Sequence, residues 1–159
     1  MVFVDICEAN RVDVNNFIKM NWFSTDIVIR GKIIDMTLVN GIIAYENDII
    51  IGLITYDIVN DECEILSLDS KLENRGIGTQ LINRIKEIAR SNGCHKIKLI
   101  TTNDNINALK FYQRRGFDMV RIYHNSLNVS RQLKPSIPLI GENNIPLMHE
   151  IEFEMMIDY

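Results

Sequence analysis

Residues 62–91 combine three local patterns in direct succession, and this segment constrains the fold more than any other part of the chain. Residues 62–69 have the composition of a strand, and residues 73–79 read Glu-Asn-Arg-Gly-Ile-Gly-Thr. Residues 76–91 then place apolar side chains at helical spacing, with Asn92-Gly93 as a helix stop. The segment therefore predicts a strand, a glycine-containing loop and an amphipathic helix in that order.

The loop has the features of an anion site. Gly76 and Gly78 lie where the predicted helix begins, so backbone N–H groups are exposed to whatever binds there. A helix N-terminus carries about half a positive charge, which favours a phosphate or pyrophosphate. Arg75 is expected to add a direct positive charge. The loop is neither a P-loop, because the lysine is missing, nor a complete dinucleotide fingerprint. A tight turn without a ligand is the alternative.

The remaining chain alternates between strand and helix patterns. The predicted strands cover residues 2–6, 41–46, 49–59, 96–101, 117–123 and 149–157, and the other predicted helices cover 10–20 and 105–115. Residues 21–39 show no dominant period, and residues 128–146 are predicted to be irregular. With no linker or repeat, residues 1–159 are expected to form a single domain. The order of elements predicts an α+β fold: a mixed, mostly antiparallel sheet with helices on both faces.

Composition excludes several classes of protein. Hydrophobic residues make up 47% and charged residues 24% of the 159 residues, which is typical of a globular protein. The net charge of −4 argues against a nucleic-acid partner. The three cysteines and three histidines have no metal-ligand spacing, so no metal is expected. No signal peptide or bilayer-length apolar segment is present, so a cytoplasmic protein without a membrane partner is expected.

A second motif follows the loop by about thirty residues. Residues 105–112 read Asn-Ile-Asn-Ala-Leu-Lys-Phe-Tyr, and Gly116-Phe117 comes next. With the loop glycines, this resembles the GNAT superfamily of N-acetyltransferases, over roughly residues 46–123. Glu73 is the departure, because it stands where the family usually has Gln or Arg. Residues 130–138 and 150–153 resemble one group of small bacterial members, and that pattern assigns no acceptor.

The resemblance implies acetyl-CoA as co-substrate and assigns roles to particular residues. The backbone of residues 66–68 would align the pantetheine arm, and an N–H near Leu68 would face the developing oxyanion. Asn105 would contact the cofactor arm, and Tyr112 would protonate the leaving thiolate. The implied cofactor-binding residues are Leu66, Ser67, Leu68, Glu73, Asn74, Arg75, Gly76, Ile77, Gly78, Thr79, Asn105 and Ala108.

The residues leave the catalytic base open between two glutamates and water. In the family, the strand before the loop often supplies the carboxylate that deprotonates the amine. Strand alternation predicts that Glu62, Glu64, Leu66 and Leu68 share one face. Glu64 is the first candidate and Glu62 the second, with a solvated strand edge as the alternative. Asp69 is interpreted as a strand-end cap, and a packed core aromatic is the alternative for Tyr112.

The acceptor is not specified. A primary amine of a small molecule or peptide is expected, and a small molecule is favoured over a protein. A catalytically silent acyl-CoA-binding sensor and a general nucleotide-binding domain are the competing functions, and a homodimer is left open.

Four basic residues in the variable segments are interpreted as solvated surface charges: Arg30, Lys32, Arg131 and Lys134.

Overall fold

The computed structural model describes residues 1–159 and contains nine strands and four α-helices. The strands are β1 (Val2–Asp5), β2 (Asp26–Ile29), β3 (Lys32–Asp35), β4 (Asn40–Glu46), β5 (Ile49–Val59), β6 (Glu62–Ser70), β7 (Lys96–Thr102), β8 (Asp118–Tyr123) and β9 (Glu150–Met156). The helices are α1 (Arg11–Trp22), α2 (Ile77–Ser91), α3 (Ile106–Arg114) and α4 (Ser126–Leu133), and a 3-10 turn covers Glu142–Asn144. The predicted α+β fold with a mostly antiparallel sheet is confirmed.

The chain forms two compact units. The first comprises Met1–Thr25, Asp35–Ile97 and Ile157–Tyr159, and the second comprises Asp26–Ile34 and Lys98–Met156. In the first unit, β1, β4, β5 and β6 are adjacent antiparallel strands in that order. In the second unit, β9 lies between β7 and β8, and β2 and β3 form a separate two-stranded ribbon.

Helices cover both faces of the sheet in the first unit, as predicted. A Cβ atom built on Gly52 of β5 would lie 2.7 Å from Ile77 Cγ2, so α2 packs directly on this face and only glycine fits there. The next residue along β5, Leu53, pairs with Asp69 and points to the opposite face. Trp22 at the end of α1 donates a hydrogen bond to Asp69, which places α1 on that opposite face.

Two predicted segments differ from the structure. Residues 128–146 are not wholly irregular, because α4 occupies Ser126–Leu133. This helix has only eight residues, a window too short for an apolar period to identify it in the sequence. Residues 21–39, which show no dominant period, contain β2 and β3 joined by a turn at Arg30-Gly31.

Candidate active site

The N-terminus of α2 has the backbone geometry of an anion site. Gly76 has a φ of 72°, a conformation that costs glycine little, and no side chain caps the helix. The first turn contains no acidic residue. The first intrahelical bond runs from Gln80 N to Gly76 O at 3.0 Å. The N–H groups of Ile77, Gly78 and Thr79 therefore precede the helical hydrogen-bond ladder, as an anion at this end of a helix requires.

Arg75 in the loop is held by an acidic residue that the sequence did not single out. Its Nη1 and Nη2 atoms donate to the two carboxylate oxygens of Glu46, at 2.8 and 2.7 Å. This hydrogen bonding lowers the pKa of Glu46 and raises the pKa of Arg75. The direct charge predicted for Arg75 is thus shared with a carboxylate at the end of β4. Glu73, where the motif departs from the family pattern, is exposed.

A β-bulge in β6 overturns the predicted alternation of its side chains. Ile65 pairs with Tyr56 and Ser67 pairs with Thr55, so Leu66 has no partner of its own on β5. Because the extra residue reverses the alternation, Leu68 lies on the face opposite Glu64. The prediction that Leu66 and Leu68 share a face with both glutamates is therefore wrong.

The β6 side chains on the face that carries Glu64 are all polar: Glu62, Glu64, Ser67 and Asp69. Glu64 lies directly opposite Asp57 of β5, and Glu62 forms an ion pair with Lys96 at 3.2 Å. Farther along, the hydroxyl groups of Thr55 and Ser67 are hydrogen-bonded at 2.6 Å in a buried position. Like charges directly opposite each other are unfavourable for sheet pairing, and Glu64 and Asp57 occupy such a position.

Asp69 ends this polar face and is not a simple strand-end cap. Its Oδ2 accepts a 3.0 Å hydrogen bond from Trp22 Nε1, and burial raises the pKa of the Asp69 carboxyl. Asp69 lies near the end of β6, four residues before Glu73 of the loop, and Trp22 lies 47 residues upstream. No local pattern connects the two residues, so sequence reasoning missed this contact.

The second motif begins at a helix cap. Asn105 Oδ1 accepts a 3.1 Å hydrogen bond from Ala108 N and caps α3. The spacing of Asn105 and Ala108 in the motif is thus explained locally as an N-cap. A contact of Asn105 with the cofactor arm stays a prediction.

Tyr112 lies at the centre of an aromatic cluster in the second unit. The residue is 7% exposed, and its ring centroid lies 5.1 Å from Phe111, 5.5 Å from Phe117 and 5.9 Å from Phe153. The first two contacts are edge-to-face, which is a favourable geometry for aromatic pairs. The cluster fixes the orientation of the phenol ring.

The structure thus groups the predicted residues in two sets. The first unit contains the loop, α2 and the β6 residues Glu64, Leu66, Ser67 and Leu68. The second unit contains Asn105, Ala108 and Tyr112. No group of three or more His, Cys, Asp or Glu side chains is placed to hold a metal ion. None of the helices combines the length and the hydropathy that a bilayer span requires.

Comparison with known proteins gives the family. Residues 21–117 match the model of the acetyltransferase (GNAT) family. Two proteins of Bacillus subtilis (strain 168), both uncharacterised, are similar over nearly their whole length. YdhI is 40% identical over 159 residues, covering 99% of each chain. YxbD is 41% identical over 152 residues, covering 95% of this chain and 96% of YxbD. This chain belongs to the GNAT acetyltransferase family.

A solved structure supports the same assignment. A GNAT family acetyltransferase from Elizabethkingia anophelis, with acetyl-CoA bound, is 26% identical to this chain with a TM-score of 0.66. The match covers 76% of this chain and 78% of that chain. The resemblance inferred from the two motifs is therefore confirmed at the level of family and fold.

Proposed function

We propose that this protein transfers the acetyl group of acetyl-CoA to a primary amine by direct attack in a ternary complex. The observation that carries the proposal is the uncapped N-terminus of α2 after the left-handed Gly76, in a chain of the GNAT family. The loop and the N–H groups of Ile77, Gly78 and Thr79 fit a pyrophosphate. The relative from Elizabethkingia anophelis, which contains acetyl-CoA, supports this choice of ligand.

The reaction requires a neutral amine, because a protonated amine has no lone pair for attack. A free alkylamine has a pKa of about 10.4, so a base must accept a proton near neutral pH. We assign this role to Glu64, directly or through water, with Glu62 as the alternative. The nitrogen then forms a bond to the thioester carbonyl carbon as the carbon–sulfur bond breaks. A backbone N–H near Leu68 stabilises the developing negative charge on the carbonyl oxygen.

Tyr112 completes the proposed reaction by donating its hydroxyl proton to the departing thiolate. Direct attack is favoured over an acetyl-cysteine route through β6. Burial raises the pKa of Cys63, the cysteine beside Glu64 on this strand, to about 12. A thiol with such a pKa is almost entirely protonated near neutral pH and is a poor nucleophile.

The remaining assignments are part of the same proposal. We propose that residues 1–159 work as one acetyltransferase domain in the cytoplasm, without a metal, nucleic acid or membrane partner. A small-molecule acceptor is favoured over a protein. A homodimer is compatible with the proposal and is not required by it.

A second candidate function is an acyl-CoA sensor without turnover. The observation that favours it is the enclosure of Tyr112, which is only 7% exposed. A sensor would bind acetyl-CoA and leave the thioester intact. Release of free thiol from acetyl-CoA in the presence of an amine panel separates the two functions, since only the enzyme produces it.

Binding of the donor is tested by thermal shift with acetyl-CoA, CoA and ATP. A ligand that binds only the folded state stabilises it by about 2.7 kcal/mol at a hundred times its Kd. Acetyl-CoA and CoA should raise the Tm and ATP should do much less. Gly78→Val places a branched side chain beside the first-turn amides and should abolish the shift. Gln80→Val, an exposed position on the same helix, should retain it. Full stabilisation of Gly78→Val by acetyl-CoA would refute the loop as the donor site.

A further inference from the structure

Two glutamates on β9 are almost completely buried on the same face of the strand. Glu150 is 2% exposed and Glu152 is 7% exposed. They pair with Tyr123 and Arg121 of the antiparallel strand β8. Cross-strand partners share a face, so these four side chains belong to one surface of the second unit. Burying two carboxylates is costly unless cations or hydrogen-bond donors compensate both of them.

Glu150 is compensated at only one of its carboxylate oxygens. Its Oε2 accepts a 3.0 Å hydrogen bond from the backbone N–H of Arg30. Its Oε1 is enclosed and has no hydrogen-bond partner. Buried polar atoms almost always have a partner, and a carboxylate oxygen is a strong acceptor. Glu150 Oε1, which has no partner, therefore indicates a position where a hydrogen-bond donor is missing.

Glu152 is held by a hydroxyl and only loosely by a cation. Tyr123 Oη donates to Glu152 Oε1 at 3.3 Å. Arg30 Nη1 lies 3.9 Å from the same oxygen, which is too long for a hydrogen bond. The Arg30 guanidinium carbon instead lies 4.5 Å from the centroid of the Tyr123 ring, and the Arg30 side chain is 44% exposed. A partly solvated guanidinium thus stacks on the ring beside the two carboxylates. Arg121, the cross-strand partner of Glu152, lies 5.6 Å from the same ring centroid and donates to Tyr123 Oη at 3.5 Å, without a direct contact to either carboxylate.

The backbone that carries Arg30 is also unusual. Arg30 and Gly31 form the turn between β2 and β3, with φ values of 50° and 71°. Turns of this kind favour Asn or Gly at the first of these positions, because a long side chain is disfavoured at positive φ. An arginine therefore occupies a position that its backbone conformation does not favour. This agrees with a role for the guanidinium itself.

We infer that Glu150, Glu152 and Tyr123 form a binding site for a cationic group of the acceptor, which replaces the Arg30 guanidinium over the Tyr123 ring. The inference rests on the proposed function and narrows the acceptor to a small molecule with at least two amino groups. One amine is acetylated, and a second, still protonated, binds here. Phe153, the residue after Glu152 on β9, points to the opposite face of the strand and packs on the proposed acid Tyr112. The carboxylates and the proposed acid therefore lie on the two faces of the same strand.

Pairs of substrates that differ only in a second amino group test the inference. We compare kcat/KM for a series of linear α,ω-diamines with that for alkylamines of the same length. A charge-assisted contact predicts a preference of about 10- to 100-fold for one or more diamines. Glu152→Gln keeps the size of the side chain and should bring the ratio of diamine to monoamine close to one. Glu87→Gln, at an exposed position of α2, removes the same charge and should leave the ratio unchanged.

Arg30→Gln should change the affinity for a diamine in the direction opposite to Glu152→Gln. If Arg30 occupies the place of the ligand cation, its removal should lower the Kd for a preferred diamine, whereas Glu152→Gln should raise it. Calorimetry of the full chain with that diamine, without acetyl-CoA, measures both effects independently of turnover. A weakened affinity in both variants would mean that Arg30 only supports the structure, and it would overturn the inference.

The same measurements separate this inference from the proposed function. Diamine binding that depends on Glu152, in a protein that acetyl-CoA does not stabilise, would retain the cation site and refute the transferase. Acetyl-CoA-dependent turnover with equal use of diamines and monoamines, in both the native protein and Glu152→Gln, would retain the transferase and refute the cation site.

Discussion

Arg75 and Glu46 form a bidentate pair, with both guanidinium-to-carboxylate hydrogen bonds between 2.7 and 2.8 Å. The pair joins the loop before α2 to the end of β4, two elements that are 29 residues apart in sequence. Two parallel hydrogen bonds fix the direction of the guanidinium more strictly than a single hydrogen bond does. It also neutralises much of the positive charge that the loop offers to an anion.

Glu46→Gln is therefore expected to strengthen acetyl-CoA binding. Removing the carboxylate restores the full charge of Arg75 near the phosphates, and for partly exposed groups this predicts a Kd lower by about two- to threefold at low ionic strength. The gain should vanish at about 0.5 M salt, where the screening length is only a few ångströms. Calorimetric titration with acetyl-CoA at both ionic strengths measures it.

Asp48→Asn is the matched control for this variant. It removes one negative charge from the exposed turn after β4, and Asn tolerates the φ of 61° at this position. A smaller effect than that of Glu46→Gln is expected, because Asp48 does not hold Arg75. A Kd that rises in Glu46→Gln would mean that the pair positions Arg75 for the phosphates, and that the neutralisation argument is wrong.

The sequence predicted those elements whose signals are local. The amphipathic pattern of Leu81, Ile82, Ile85 and Ala89 defines α2, and all four side chains are buried. The strands 49–59 and 62–69 were predicted from apolar composition and turn residues, and they match β5 and β6 to within one residue. In each case the information lies within about fifteen residues, the range in which periodicity is informative.

The parts of the site that were missed depend on contacts between distant residues. The bulge at Leu66 is a property of pairing with β5, and an isolated strand sequence does not reveal it. Trp22 meets Asp69, and Arg30 meets Glu150 across 120 residues. The sequence alone indicates solvated charges at Arg30, Arg131 and Lys134, yet each one has a specific partner in the structure. Only the folded chain brings such groups together.

Asp69→Asn is expected to stabilise the protein at neutral pH. Burial raises the folded-state pKa of Asp69 above its unfolded value of about 3.9, so ionisation is unfavourable in the folded state. This penalty is absent below the unfolded pKa, grows as pH rises through the interval between the two values, and is complete above the folded pKa. Asn removes the charge and still accepts a hydrogen bond from Trp22.

Denaturant titrations as a function of pH check this prediction. The stability difference between Asp69→Asn and the native protein should be positive at neutral pH and should disappear below about pH 3.9. A constant difference at every pH would show that the amide changes packing or hydrogen bonding. A destabilised variant at neutral pH would show that the Asp69 carboxylate is favourably bound in the folded state.

Glu64→Gln tests the proposed base. The amide keeps the size of the side chain and cannot accept the proton of the amine, so turnover should fall by about 10²–10⁴-fold near neutral pH. The loss should shrink as pH rises toward the pKa of the amine, because more acceptor is already neutral. The pH profile of kcat/KM for both proteins measures this convergence. Glu62→Gln is the matched control on the same strand.

The outcome distinguishes three roles for Glu64. A loss that converges with the native rate at high pH supports the base. A loss that is the same at every pH would mean that Glu64 binds the acceptor. An unchanged rate in Glu64→Gln with a reduced rate in Glu62→Gln would move the role to Glu62, and unchanged rates in both would leave water as the base.

Tyr112→Phe tests the proposed acid, because the aromatic cluster allows removal of the hydroxyl group without loss of ring packing. The ring of Tyr112 contacts Phe111, Phe117 and Phe153, and phenylalanine retains all three contacts while it lacks the hydroxyl. The Tm and the affinity for acetyl-CoA should therefore change little. Phe117→Leu is the complementary control, because it disturbs the packing and keeps the hydroxyl. It should lower the Tm more than Tyr112→Phe does.

Turnover should instead fall more in Tyr112→Phe than in Phe117→Leu. Without the hydroxyl proton, the thiolate must leave as an anion or take a proton from water. The rate should then fall by about one to three orders of magnitude, or roughly 1.4 kcal/mol of barrier for each tenfold step. Thiol release with a competent amine measures the rate, and differential scanning calorimetry measures the Tm. A native rate in Tyr112→Phe would make Tyr112 a core aromatic. A large loss with an unchanged Tm would assign the role to the hydroxyl group, since the packing of the ring is the same in both proteins.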